Sequence, residues 1–240
     1  MRPSLSGIAS MATRAILAEL TEAYGRETGV IARIQSVGGV DAAQRVRAGE
    51  GLDVVVLASR AMAALEVEGR LVRGSRVDVA RSGMAIAVPA DAPCPEIGDE
   101  EAVKAAILQA RAIGYSTGPS GEHLQKLVQQ WGIAEAVSPR MRCAPPGTPV
   151  AALVARGEVD LGFQQLSELL HTPGVQIVGP LPASIQAVTV FSAGVASTSD
   201  HQADARALIG YLASPPTAEV KRRHGMEPAA SVSSKDTDHG

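Results

Sequence analysis

Across 240 residues the chain carries a formal charge of −3, with 22 Lys and Arg against 25 Asp and Glu, so it lacks the basic footprint of a nucleic-acid-binding surface. Aromatic residues make up only 2% of the sequence, which leaves Ala, Val, Ile and Leu to build the core and excludes platforms for base stacking. The length suffices for one domain or for two lobes of ordinary size, and no run approaches the ~20 consecutive apolar residues of a membrane span, so no membrane insertion is expected.

Residues 3–9 read as a first strand, with no long apolar stretch or small-residue cleavage site ahead of it. As written, the chain is expected to remain in the cytoplasm; a periplasmic address would require a trimmed start. Residues 11–28 follow a helical period, with Ile16, Leu17, Leu20, Ala23 and Tyr24 on one stripe, and stop at Gly29. Residues 30–35 form a predicted strand, 40–48 a helix, and 53–58 (DVVVLA) a uniformly apolar third strand. Strands apolar on both faces with helices between them indicate an α/β fold of mostly parallel sheets with helices on both faces.

A helix over residues 60–68 follows, then an apolar run at 84–88 and a surface loop, ADAPCPEIGDE, dense in Pro and Asp. The spacing next predicts a helix over 101–110, a strand and helix within 113–131, a strand at 140–144 and a helix over 149–156. After these come a strand at 159–163, a short helix near 166–170, strands at 175–178 and 187–191, and helices over 203–213 and 217–224. The polar tail, residues 230–240, is expected to be disordered.

The segment IGYSTGPSGEHLQKLVQQW is the most informative. A short apolar run ends in a turn of Ser116, Thr117, Gly118, Ser120 and Gly121 that opens a helix, where the helix dipole places about +0.5 charge. Hydroxyls and unhindered amides at that point make a seat for an anion. The pattern recurs: Ser10 precedes the helix from Met11, Gly38 and Gly39 precede the helix from Val40, and Gly147 and Thr148 precede the helix from Pro149. Converging turns of this kind suggest one concave site for an oxyanion or carboxylate. Its candidate ligand-binding residues are Ser10, Met11, Gly38, Gly39, Ser116, Thr117, Gly118, Ser120, Thr148 and, at the carboxyl end of the strand VDLGF, Gln165 or its neighbour Gln164.

Each candidate has a plainer reading. Ser10 also fits a simple N-cap, which contributes about 1 kcal/mol, and Gly38 and Gly39 also fit positions of positive φ. Arg81 suits either a ligand carboxylate or solvent. His123 reads as exposed, and Glu168 and Asp41 read as partners of helix dipoles. Cys94 and Cys143 have no close spacing and read as unpaired thiols, so no metal and no cofactor is expected. The chain contains no HExxH, Walker or GxGxxG pattern, and no catalytic residue is assigned.

Four stretches carry a resemblance: the Ser10 turn with its helix; RVRAGEGLDVVVLAS; GTPVAALVARGEVDLGF followed by QQLSELL; and LASPPTAEVKRRHGMEP. In this order they resemble the type II periplasmic solute-binding proteins, most closely the molybdate-binding branch, over nearly the whole chain except the tail. The resemblance implies a monomer of two lobes, residues 1–83 with 191–240 and residues 84–190, joined by crossing strands near 82–88 and 188–193. It further implies a small anionic ligand clamped between the lobes and delivery to an ABC permease.

Carried across residue by residue, Ser10 matches the family's first hydroxyl. The turn that should hold the second reads SVGGV and offers Gly38 and Gly39 instead, and the family's tyrosine is replaced by Gln164 or Gln165. Two glycines open room, and a glutamine both donates and accepts, which suits a bulkier or flatter carboxylate better than a compact tetrahedral ion. The expected function is therefore a substrate-binding protein for a small anion, a molybdate-like oxyanion or an organic carboxylate. The alternative is an isomerase of an unsaturated carboxylate such as aconitate on the same fold. That chemistry needs a base beside a carboxylate, for which Glu122, His123 and Tyr115 are the nearby candidates.

Overall fold

The computed structural model describes residues 4–229; the tail expected to be disordered, residues 230–240, lies outside them. The first strand, β1 (Ser4–Ser10), leads through a single 3-10 turn, Met11–Thr13, into α1 (Arg14–Thr28), which buries Ile16, Leu17, Leu20 and Tyr24. The helix stops at Gly29, whose φ of 74° is the left-handed cap that favours glycine. Then follow β2 (Ile31–Val37), α2 (Gly39–Arg47), β3 (Val54–Ala58) and α3 (Ser59–Val67). The uniform apolarity of β3 has a structural reason. Val54 and Val56 face the core formed with α1, whereas Val55 and Leu57 face the one formed with Met62 and Leu65 of α3.

Next comes β4 (Val77–Pro89), 13 residues long. Only its second half was legible as an apolar run, because Asp78 and Arg81 interrupt the first half and stand exposed. Residues 77–83 of β4 pair with one sheet and residues 84–87 with another; this strand is the outward crossing. Beyond it lie α4 (Glu100–Gln109), β5 (Ile113–Tyr115), α5 (Pro119–Gln130), α6 (Ala134–Val137), β6 (Met141–Cys143), α7 (Val150–Ala155), β7 (Leu161–Gln165), α8 (Leu166–Leu169) and β8 (Val175–Pro180). The chain returns along β9 (Val188–Val195) and ends in α9 (Gln202–Ala213), α10 (Ala218–Arg223) and β10 (Glu227–Pro228). Sequence periodicity did not indicate α6 or β10, which are too short to show a period.

The strand order is β2-β1-β3-β9-β4-β7-β5-β6, with β8 and β10 also pairing to β4. The parallel pairing expected of strands separated by helices holds for β2-β1-β3 in one half and for β7-β5-β6 in the other. Between these blocks β4 and β9 run antiparallel to their partners, as an outgoing and a returning strand must. Each half has its own core. Leu5, Ile16, Leu20, Phe191 and Leu208 gather in the first; Ile86, Ile107, Leu124, Leu127 and Phe163 gather in the second. The molecule is a two-lobed α/β protein.

Among the buried polar side chains of the described residues, one is basic. Lys221 of α10 is 1% exposed, and desolvation alone pushes its ammonium down to about 8. Among the described residues it has no acceptor.

Candidate functional site

Parallel pairing sets the first cluster. Ser10 is in register with Val37, so both strands end at one level, and Met11 and Gly38 leave them side by side. The position a Gly39 Cβ would take is 3.9 Å from the Ser10 Cβ, which brings Ser10, Met11, Gly38 and Gly39 together. Ser10 is not the plain N-cap its sequence position also allowed: it makes no side-chain cap, and its Oγ is buried without a partner. Nor do the two glycines supply positive φ. Gly38 has φ of −57° and nothing near its missing side chain; these residues create space.

The second cluster belongs to the other lobe. Gly118 precedes Pro119 at the first position of α5, and no side chain caps the helix. Ser116 Oγ lies 3.3 Å from Ser120 Oγ, and the Gly118 amide donates to Ser116 Oγ at 3.4 Å. Thr117 lies within this turn. A Cβ on Gly121 would stand 1.6 Å from the Ser116 carbonyl oxygen, so the chain folds back on itself here only because residue 121 is glycine. Among the described residues no hydrogen bond joins the Ser116 group to the Ser10 group; each lobe holds its own.

The carboxyl end of β7 lies at the junction. Both glutamines are 2% exposed and have separate tasks. Gln165 Nε2 donates to Thr189 Oγ1 of β9 at 2.7 Å, while its Oε1 is buried and unpartnered. Gln164 Oε1 accepts from the Val150 amide at 2.8 Å, and its Nε2 donates to Glu168 Oε1 at 2.8 Å. The amide at the start of α7 is thus already engaged. Thr148 sits half-buried in the preceding turn, its own amide bonded to the Pro145 carbonyl.

Glu168 is the residue that sequence reasoning passed over. Read as a dipole partner, it is instead a desolvated carboxyl on α8 whose pKa is pushed up to about 8; the Gln164 bond opposes the shift without cancelling it. The signal available was the i, i+4 spacing of Gln164 and Glu168 across a strand end. α8 packs against the 3-10 turn that follows Ser10. It also meets the turn after α10, where a Cβ on Gly225 would press on Leu166 and Ser167. Two buried polar atoms near that contact, Ser167 Oγ and His224 Nδ1, lack partners as well.

The base candidates read from sequence fare differently. His123 Nε2 lies 2.7 Å from the Ile185 carbonyl and is part-buried, not exposed; it ties α5 to the segment leading back to β9. Glu122 is exposed. Arg81 is exposed on β4 and pairs in register with Glu227. A cavity of about 450 Å³ lies along α1 and β2, lined by Arg14, Leu17, Ser36 and Val37, and reaches the site at Met11 with Gly147 of the other lobe on its rim. Cys94 and Cys143 are free and exposed. Among the described residues no group of three or more His, Cys, Asp or Glu side chains could hold a metal ion, and no helix is long and apolar enough to cross a membrane.

Two crossing strands between two α/β lobes, with polar turns at helix starts on each and unsatisfied polar atoms at the junction, give the two-lobed architecture of a solute-binding protein of the periplasmic type. The family model for bacterial extracellular solute-binding proteins matches residues 5–227, and the chain belongs to that family. It is 36% identical over 231 residues to an aconitate isomerase of a Pseudomonas species, covering 94% of this chain and 88% of that protein. It is 27% identical over 108 residues to the molybdate-binding protein of Escherichia coli strain K12, covering 45% of this chain and 42% of that one. Among solved structures, the periplasmic molybdate-binding protein of Azotobacter vinelandii superposes with a TM-score of 0.78 at 19% identity, over 92% of this chain and 98% of the other. That last likeness concerns the fold.

Proposed function

We propose that the interlobe cleft binds an unsaturated polycarboxylate and isomerises it, as an aconitate isomerase does. The observation that carries this reading is the pair of unsatisfied polar groups at the junction, Ser10 Oγ and Gln165 Oε1. A buried polar atom without a partner costs about 1–3 kcal/mol, and a ligand that supplies the missing bonds recovers it. Ser10 Oγ is a donor suited to a carboxylate oxygen. The Thr189 hydroxyl serves either end of the Gln165 amide, so that amide can turn its NH2 toward a second carboxylate. The space at Gly38 and Gly39 accommodates a planar, branched acid. Identity of 36% across nearly the full chain to an aconitate isomerase supports the reaction class.

The test is proton NMR of cis- and trans-aconitate incubated with the protein in deuterium oxide. Interconversion with deuterium at a carbon next to a carboxylate is the expected result. Neither conversion nor exchange would return the chain to a binding role.

That second reading, a receptor delivering a small anion to an ABC permease, is favoured by the hydroxyls and amides around Ser116, Gly118 and Ser120 at the start of α5. A thermal-shift panel of molybdate, tungstate, sulfate, phosphate and di- and tricarboxylates separates the ligand classes. Because Gly38 stands where a second hydroxyl would be, molybdate should raise the melting temperature less than an organic carboxylate. The reverse ranking would favour the transport reading.

A further inference from the structure

We infer that Arg14 holds one carboxylate of the ligand in the groove between α1 and β2, and so selects acids with three carboxylates over those with two. This deepens the polycarboxylate reading of the cleft and rests on it.

The groove is the cavity of about 450 Å³, formed by Arg14, Leu17, Ala18 and Thr21 of α1 and by Ile34 and Ser36 of β2. The first four recur at i, i+3, i+4 and i+7, one face of a helix; the last two are two apart, one face of a strand. Arg14 therefore belongs to the face of α1 that is turned toward β2. Side chains on a helix lean toward its N-terminus, which inclines the stem of Arg14 toward the 3-10 turn. Met11 and Val37 complete the lining at that end. Val37 is in register with Ser10, and Met11 follows Ser10 in the chain. The groove thus runs into the Ser10 cluster.

Charge singles out Arg14 within the first lobe. It is the one ionisable residue lining the cavity. The other arginines of α1 and α2 each hold a carboxylate: Arg26 bonds Glu22, Arg45 bonds Glu50 and Arg47 bonds Glu68. Among the described residues Arg14 has no such partner, and positions 17 and 18, which a helical ion pair would use, are Leu and Ala. The first turn of α1 contains no acidic residue either, so the cation stands at the positive end of the helix dipole with nothing to offset it. An anion in the groove answers both deficits.

A second sign of a ligand at this place is independent of the helix. Ser10 is 7% exposed, and its Oγ has no partner. One carboxylate on Ser10 and another on Arg14 account for the open hydroxyl and the open guanidinium together. The guanidinium supplies two parallel N–H donors to a carboxylate, and the half-buried Ser36 hydroxyl is at hand in the same groove. Leu17, Ile34 and Val37 offer apolar surface to the carbon skeleton between carboxylates, which a compact oxyanion lacks.

The test measures binding of trans-aconitate to wild type and Arg14→Gln by calorimetry, beside mesaconate, glutaconate and itaconate, each of which lacks a different one of its carboxylates. Diacids too weak for direct titration are ranked by displacement of trans-aconitate. Because Arg14 is exposed and unpaired among the described residues, the free variant should melt like wild type. It should bind trans-aconitate about 10-fold more weakly, the lower end for a bond between charged groups, since Arg14 keeps contact with solvent. One of the three diacids lacks the carboxylate that Arg14 holds, and that acid should bind both proteins equally. A variant that binds trans-aconitate as tightly as wild type overturns the assignment. So does a loss of equal size for all four acids, which would reveal a general effect of charge with no carboxylate held by Arg14. A wild-type protein that binds none of the four defeats the polycarboxylate reading itself, which is a different result from an Arg14→Gln variant that binds them all.

Discussion

Ser116 and Gly121 approach so closely that a methyl group on residue 121 would lie 1.6 Å from the Ser116 carbonyl oxygen. The obstacle is main chain, which no side-chain rotation relieves. Gly121→Ala should therefore destabilise the protein at the upper end of the range for an overpacked site, roughly 3 kcal/mol, and displace Ser116 and Ser120 together. Urea unfolding measures the first effect. A melting curve like that of wild type would mean the turn yields more easily than its geometry indicates.

Ser10 is the reverse case. Its hydroxyl is buried without a protein partner, so Ser10→Ala should leave the free protein as stable as wild type or slightly more so, while weakening ligand binding by roughly 1.5–3 kcal/mol for a lost bond to a charged group. His123→Ala should behave oppositely, lowering stability through the lost Ile185 contact and leaving affinity unchanged. Calorimetry paired with thermal melts separates the two. A neutral effect of Ser10→Ala on binding would remove Ser10 from the site.

Glu168 also makes stability depend on pH. Burial pushes its carboxyl up from the ordinary 4.5 to about 8 in the folded protein. Between those values the folded state binds more protons than the unfolded state, so stability falls as pH rises across that window. Glu168→Gln stays neutral and should lack this component. Denaturant titrations at pH 5 and pH 8 should show a smaller drop for the variant than for wild type; equal drops would place the carboxyl in a wetter environment.

Lys221 has the opposite slope. Its ammonium is lowered from 10.5 to about 8 by burial, so between those values the unfolded chain binds more protons and stability rises with pH. Lys221→Met fills the same space without a charge. The variant should be more stable by roughly 1–3 kcal/mol at pH 7, with the advantage shrinking toward pH 10. A loss of stability at pH 7 would reveal a partner for the ammonium.

The sequence disclosed what depends on local period and turn chemistry. The apolar run DVVVLA, the stripe from Ile16 to Tyr24 and the small polar turns at Ser10 and Ser116 all lie where their chemistry placed them. Relationships that arise only when distant segments meet were hidden. Apart from its i, i+4 spacing from Gln164, nothing local distinguishes Glu168 from a surface acid, because its desolvation comes from the packing around α8. Likewise Gln164 and Gln165 are adjacent in sequence, yet alternation along β7 sends one to Val150 and the other to Thr189. The first half of β4 escaped notice because Asp78 and Arg81 broke its apolar pattern.

The two residues of β10 bear on how the molecule avoids its own copies. Where β4 leaves the first sheet, Ala80 and Arg81 pair with Phe191 and Val190 of β9 and also with Pro228 and Glu227 of β10. Without β10 that side of the strand would present unpaired amides and carbonyls, a template for adding a strand from another chain. A chain cut just before Glu227 would keep both cores and the turns at Ser10 and Ser116, yet it should self-associate with rising concentration, which light scattering would detect. Residues 227–228 thus act as a guard against intermolecular strand exchange at the crossing between lobes.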